Sequence, residues 1–419
     1  MPPNQYIPRI IDEELKTRLE SSGAVLIEGP KACGKTESAK QLAASEVLLD
    51  VDQNARAAVA VNPNLVLDGE TPRLIDEWQV EPEIWNHIRR AVDERGDPGQ
   101  FILAGSAAPT DEITRHSGAG RISRLRMRPM SLLEAGASSG EISLQKLMSK
   151  EEARAAQTEL GVPGIAEEIA RGGWPALRSR EIEPAMVGVR DYLKEISRTD
   201  ISQVDNVRRD PERVRRLLSS LARNVATTTS TATLAKDTAT GGEAVKEQTI
   251  AGYISALERL FVVENQPAWT PHLRSRSRLR QAAKRHFIDP SLAIAALAAN
   301  PQALLRDLNL FGFLFESLVV RDLRIYSQGL GARIRHYRDN NGLEVDAIVD
   351  SPGGWAAIEV KLGGTEAVDE AAANLLKFAQ IIDTDKSGEP AFLGVIIGDG
   401  FGYVREDGVQ VLPIGALGP

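Results

Sequence analysis

Ala24-Val25-Leu26-Ile27-Glu28 runs without a break into Gly29-Pro30-Lys31-Ala32-Cys33-Gly34-Lys35-Thr36, and Lys35 opens a helical stretch that continues to Ala44. A buried strand, a glycine-bearing turn and a helix N-terminus stand here in the order that a G-x-x-x-x-G-K-T loop requires. The N–H groups of such a turn and the positive end of the helix dipole together make an anion cradle for α- and β-phosphates. Lys35 reaches the β- and γ-phosphates as a point charge, and the Thr36 hydroxyl is placed to ligate Mg²⁺. Gly29, Pro30, Lys31, Ala32, Cys33, Gly34, Lys35 and Thr36 are therefore the expected ATP-binding residues.

Working outward, alternating apolar runs and helical stretches continue to about residue 135, the rhythm of an α/β sheet. Val47 to Asp52 reads as a strand. Arg73-Leu74-Ile75-Asp76-Glu77-Trp78-Gln79 reads as another, ending in two acids roughly 40 residues after the loop. In that position the first acid, Asp76, holds Mg²⁺ and the second, Glu77, orients and polarises the attacking water. After the amphipathic helix Glu83 to Asp93, the strand Phe101 to Ser106 ends in a hydroxyl. Ser106 is a candidate to touch the γ-phosphate or the water, or simply to cap a turn. Arg121 follows Gly118-Ala119-Gly120, where a cation can meet the γ-phosphate of its own chain or of a neighbour in a homo-oligomer. Arg124, Arg126 and Arg128 alternate and share one strand face, read as a solvated edge.

Composition narrows the rest. The chain has 419 residues, enough for roughly two to four domains. A net charge of −8 leaves nucleic-acid binding to a local basic patch. One cysteine, Cys33, excludes an internal disulfide and a cysteine-based zinc site, and suits a reducing cytoplasm. The N-terminal residues lack a signal-peptide core, and no apolar run reaches membrane-spanning length, so no membrane partner is expected.

GPKACGKT, RLIDEWQ, FILAGS and GRISRLRMRPMSLLE, in this order, resemble the bacterial AAA-superfamily ATPases that carry a C-terminal domain of unknown function. The resemblance extends through Gly172-Gly173-Trp174-Pro175 and covers nearly the whole chain. It implies ATP binding and hydrolysis without fixing a biological role. In related switch-type ATPases a Gly-x-Pro turn of the lid approaches the nucleotide; Gly173-Trp174-Pro175 has that form, and equally that of a helix terminus.

The expected fold is α/β. A P-loop AAA-type ATPase domain occupies 1–150, a helical lid or connector 151–216, a winged helix-turn-helix 217–300, and a restriction-endonuclease-like α/β domain 301–419. Residues 199–202 read as a turn. In the winged helix, Gln248, Thr249 and Tyr253 lie near the start of the second helix, where base contacts are made. Arg274, Arg276, Arg278, Arg280, Lys284 and Arg285 form a run without an acid, a candidate patch for the DNA backbone or a domain-packing surface.

Glu344 to Asp350 and Trp355 to Lys361 read as a hairpin around Ser351-Pro352-Gly353-Gly354. A symmetric loop sets Asp346 opposite Glu359 and Glu344 opposite Lys361, all on one face. Opposed carboxylates repel unless a metal or a lysine intervenes. Asp followed by Glu-x-Lys resembles the PD-(D/E)XK nucleases, in which Asp346, Glu359 and a helical Glu316 would bind Mg²⁺ and Lys361 would serve the scissile phosphate. Two functions follow: an ATP-driven switch whose nuclease-like domain acts on DNA, or a regulatory ATPase whose C-terminal domain binds a protein partner and cuts nothing. Binding of ATP without turnover is a third.

Overall fold

AVLIE at Ala24–Glu28 forms β1, buried at all five positions, as a parallel strand covered on both faces must be. The computed structural model describes residues 6–106, 118–152, 155–204, 207–239, 245–271 and 282–419. These fall into two units: Met1–Pro129 with Thr199–Arg208 and Ser255–Val262, and Met130–Arg198 with Arg209–Ile254 and Val263–Pro419.

In the first unit β1 belongs to a five-stranded parallel sheet with β2 (Ser45–Leu48), β3 (Arg73–Asp76), β4 (Phe101–Gly105) and β5 (Ile122–Arg126). The order is β2-β3-β4-β1-β5. Helices α1 (Ile11–Ser21), α2 (Lys35–Lys40), α3 (Gln53–Val61), α4 (Asn64–Leu67) and α5 (Ile84–Arg95) complete it. Alternation along β1 assigns its side chains to two cores. Ala24 and Leu26 join Phe101, Val59 and Trp85, while Val25 and Ile27 join Ile102, Leu15 and Leu19. The third strand stops at Asp76, earlier than the sequence suggests. Glu77 takes a left-handed φ of 47° and turns the chain into a short 3₁₀ segment, Trp78–Val80.

The second unit begins before the ATPase boundary expected at residue 150. Its β6 (Ile142–Ser143) pairs in parallel with the final strand, Leu417–Gly418. Helices follow: α6 (Leu144–Met148), α7 (Val162–Arg171), α8 (Pro175–Arg178) and α9 (Ile182–Glu195). Residues 199–202, expected as a turn, are helical instead: a π-helical segment Ile196–Asp200 leads into α10 (Ile201–Gln203), in the first unit's share of the chain. Next come α11 (Pro211–Arg223), α12 (Thr231–Thr238) and α13 (Glu247–Arg259). Helix α11 shows why such a sequence folds this way. Asp210 caps its first turn, and Val214, Leu217, Leu218 and Leu221 form a buried stripe opposite its arginines.

The antiparallel pair β7 (Val263–Gln266) and β8 (Lys284–Phe287) precedes α14 (Ser291–Leu297), α15 (Pro301–Arg306) and α16 (Leu308–Tyr326). A six-stranded mixed sheet closes the chain. It contains β9 (Arg333–Arg338), β10 (Glu344–Ser351), β11 (Gly354–Lys361), β12 (Leu393–Ile397), β13 (Tyr403–Val404) and β14 (Gln410–Pro413), in the order β13-β14-β12-β11-β10-β9. Helix α17 (Thr365–Ile381) lays Val368, Leu375 and Phe378 on it. The last strand, Leu417–Gly418, is β15. No helix among the described residues is long and apolar enough to cross a membrane.

Within the second unit a buried charge network joins distant segments. Arg321 of α16 donates to Asp289 Oδ2 at 2.8 Å and to Asp322 Oδ1 at 2.8 Å. Asp322 Oδ2 accepts from Leu132 N at 3.0 Å, and Asp289 Oδ2 from Gly173 N at 3.0 Å. Trp174 Nε1 donates to Ser291 Oγ at 3.0 Å. This resolves the Gly173-Trp174-Pro175 turn as a structural anchor. Gly172 ends α7, Pro175 begins α8, and a Cβ on Gly173 would lie 2.2 Å from Met130 O. Arg321→Met should destabilise the protein by about 3–5 kcal/mol, because two buried carboxylates lose their cation. Denaturant unfolding checks this, and a loss below about 1 kcal/mol would refute the role.

Candidate nucleotide site and the C-terminal carboxylate cluster

Strand order builds the first site. With β4 between β3 and β1, the C-terminal ends of all three strands share one edge; Asp76 is level with Ala104, which is level with Ile27. The loop after β1, the Asp76-Glu77 pair and Ser106 therefore stand side by side. Ala32 at φ 60° and Gly34 at φ 106° give the loop its left-handed turns. Gly29 is required sterically, since a Cβ there would lie 2.2 Å from Met127 O. Lys35 Nζ donates to Gly29 O at 3.0 Å and Pro30 O at 2.8 Å, curled over its own loop. Thr36 Oγ1 donates to Asp76 at 3.0 and 3.1 Å. Burial pushes the Asp76 carboxyl above the ordinary carboxylate range, with the Thr36 hydrogen bond opposing.

Glu77 is positioned by its backbone and by two neighbours. Its left-handed conformation is uncommon outside glycine and directs the side chain along the strand edge. Gln79 Nε2 donates to Glu77 Oε2, and Ser106 Oγ lies 3.5 Å from the same oxygen. Ser106 thus faces Glu77.

Arg121 is elsewhere. Because β5 runs parallel to β1 with Ala24 opposite Ile122, Arg121 precedes the strand at the sheet's N-terminal edge. That is about 16 Å of strand from the loop, beyond an arginine's reach. It pairs with Asp93 at 2.6 Å. An own-chain γ-phosphate contact is excluded, and only a role toward a neighbouring chain is left. The cations at the correct edge are Arg124 and Arg126, which meet Glu28 at 3.3 and 3.1 Å. Arg126 also lies over the Phe261 ring. The stripe is solvated as expected, with Arg124 exposed and Arg126 half-buried, and is also paired with Glu28.

Two loop supports escaped the sequence reading. Arg9, buried, donates to Cys33 O at 2.8 Å and Arg128 O at 2.9 Å. Lys31 pairs with Asp200 at 2.7 Å. Arg9 carried no local signal, and Asp200 lies 169 residues from Lys31.

In the second unit the hairpin register is as expected: Ala347 opposes Ile358 and Ser351 opposes Gly354. Asp346 and Glu359 come next, just past the paired stretch, beside a β-bulge between Val345 and Ile348. Glu316 arrives from α16 and is buried. The three carboxylates do converge, but a cation is already among them. Lys284 Nζ of β8 lies 2.7 Å from Glu316 Oε1 and 3.4 Å from Asp346 Oδ1. Asp346 Oδ2 accepts from Val360 N at 3.0 Å. Glu359 accepts from Lys361 at 3.0 Å and Asn374 at 2.8 Å. Glu344 pairs with Arg338 at 2.8 Å.

Burial, reinforced by the Asp346 charge, pushes Glu359 up to about 7 and Glu316 up to about 8. Burial would lower Lys284, but the Glu316 and Asp346 charges outweigh it and hold the ammonium protonated. A divalent metal does not fit this arrangement while Lys284 fills it, and the described residues contain no group of three or more His, Cys, Asp or Glu able to hold one. The carboxylates expected to hold a metal, Glu316, Asp346 and Glu359, are joined in this structure by lysines, Lys284 to Glu316 and Asp346 and Lys361 to Glu359.

The DNA-facing expectations change as well. Tyr253 is buried, with Arg209 over its ring at 5.6 Å, and is not available to bases. Lys284 is in the cluster just described, and Arg285 donates to Thr229 O. Arg274, Arg276, Arg278 and Arg280 lie outside the described residues.

Comparison with known proteins agrees with the first site. Residues 21–135 match the AAA domain, residues 163–303 the Domain of unknown function DUF8612, and residues 311–417 the Domain of unknown function DUF4143. The chain is similar to Uncharacterized protein Rv2008c of Mycobacterium tuberculosis and Uncharacterized protein Mb2031c of Mycobacterium bovis. Each is 23% identical over 372 residues, covering 88% of this chain and 76% of the relative. Among solved structures it is similar to the Walker-type ATPase PABY2304 of Pyrococcus abyssi, with TM-score 0.41 and 13% identity over 68% of this chain and 94% of that one. The N-terminal part of the chain is an AAA-type P-loop ATPase domain, followed by two domains of unknown function.

Proposed function

We propose that the chain is an ATP-driven switch in which Glu77 directs hydrolysis and the C-terminal domain binds a protein partner without cutting nucleic acid. The Thr36 hydroxyl on Asp76, at the strand edge shared with Glu77 and Ser106, carries the first half. Mg²⁺ fits there. A P-loop ion takes a hydroxyl and one carboxylate from protein and its other ligands from phosphates and water, so Thr36 and Asp76 suffice. Bound MgATP would supply the γ-phosphoryl group and a divalent cation, which Thr36 and Asp76 would hold. Lys35 leaves its two carbonyls for the phosphates, the loop N–H groups hold the triphosphate, and Glu77 orients water. Lys284 supports the second half, because it gives the carboxylates a permanent cation.

Lys35→Ala should abolish ATP binding, read by isothermal titration. Glu77→Gln should keep binding while cutting turnover by roughly 10²-fold or more. Wild-type turnover in Glu77→Gln would sink the assignment.

Purified protein should show no Mg²⁺- or Mn²⁺-dependent DNA cleavage. Cleavage that disappears in Asp346→Ala would restore the nuclease reading.

The ion cluster also predicts a pH effect. Glu359 holds in the folded state a proton that the unfolded chain releases, so its contribution to stability is lost as pH rises from about 4.5 to about 7. Relative to wild type, Glu359→Gln should gain stability over that window by about 1–3 kcal/mol. Reading the difference cancels the opposite slope from His286 and His336, which burial holds neutral. Parallel curves for the two proteins would show that Glu359 is ionised throughout.

A further inference from the structure

Helices α9 and α11 each pack on α14 and make little contact with one another. They stand as two walls of a trough of about 860 Å³, with Leu193, Leu218, Ala295 and Ala296 among the residues at its base. The paired alanines of α14 keep that base low. The walls are basic. Arg190, Lys194 and Arg198 recur every fourth residue along α9 and the π-helical segment after it, so they follow one face. Arg215, Arg216 and Arg223 line the wall formed by α11.

The acids of the lining leave four of these six cations unmatched. Glu212 is taken by Arg215 and Arg216, and Asp237 accepts from Ser220 Oγ at 2.6 Å. Arg190, Lys194, Arg198 and Arg223 have no side-chain hydrogen bond or ion pair among the described residues. Four unmatched cations gathered on two facing walls, in a chain of net charge −8, call for an anionic occupant.

We propose that this trough is a docking groove for an acidic amphipathic helix of a partner protein. An apolar ridge on such a helix meets Leu193, Leu218 and the alanines, while carboxylates on both flanks of the ridge meet the two basic walls. Arginine's planar fork suits carboxylates in this role. A nucleic-acid strand fits less well. No aromatic side chain lines the trough among the described residues, so bases find no stacking platform, and the apolar base offers nothing to phosphates. The groove's residues belong to the second unit and the nucleotide loop's to the first, and the proposal stands whether or not ATP is hydrolysed.

The test uses the full chain and fluorescence anisotropy. The probes are a labelled helix-forming peptide with a leucine ridge flanked by glutamates, its scrambled counterpart, the same peptide with lysines for glutamates, and single- and double-stranded DNA. The glutamate peptide should bind, weaken as salt rises, and outcompete the scrambled one. The triple variant K194E/R198E/R223E changes only exposed residues. It should lose about tenfold or more in affinity for the glutamate peptide and gain affinity for the lysine peptide, with its melting temperature and ATP turnover preserved. Equal binding of the ridge and scrambled peptides, or no binding of either, would overturn the proposal. So would unchanged affinity in the variant. DNA binding that the variant abolishes, without peptide binding, would reassign the groove to phosphates. Should the triple variant melt early, Lys194→Glu and Arg223→Glu are read singly, each with the same expected direction.

Discussion

The Arg321 guanidinium, held between Asp289 and Asp322 away from water, is the interaction around which the second unit is arranged. A buried arginine is tolerable only where its charge and its donors are answered, and the two aspartates are in turn answered by the backbone N–H groups of Leu132 and Gly173. One cation thus fixes the relation of α16 to the strand-to-helix corner at Asp289, to the α7–α8 turn and to the segment after Met130. Apolar packing alone would let these elements slide. Directional hydrogen bonds to a central charge do not.

Two carboxylate pairs in this chain show how context decides what an acid can do. Asp76 and Glu77 end a strand at an open sheet edge, beside a loop shaped for phosphates, and their neighbours are a threonine hydroxyl, a serine and an amide. Asp346 and Glu359 also end a paired stretch, but their neighbours are two lysines. The first pair has no ion-pair partner among the described residues; the second has two lysines. A short sequence pattern identifies both pairs equally well and cannot tell them apart.

That contrast explains what was legible. The nucleotide loop could be read because its chemistry is local: the conformation, the lysine and the threonine lie within eight consecutive residues. The hairpin register could be read because the Pro352-Gly353 turn fixes it. Lys284 could not, since its partners are 32 and 62 residues away and it sits in a run that looks like a basic surface patch. The own-chain reading of Arg121 fell for a related reason. A cation after a glycine-rich turn suggested contact with a phosphate, whereas strand direction, a property of the sheet and not of the segment, puts it at the far edge. The Arg321-Asp322 pair inside the apolar run Phe311 to Tyr326 was the one signal available and unused: charges in a buried helix require partners.

Lys35, folded over Gly29 O and Pro30 O, ties the start of the helix back to the first residues of its own loop. The ammonium is satisfied inside the loop and does not pull it out of shape. A triphosphate that drew Lys35 to itself would have to break both hydrogen bonds, so the loop's own carbonyls compete with phosphate oxygens for one ammonium.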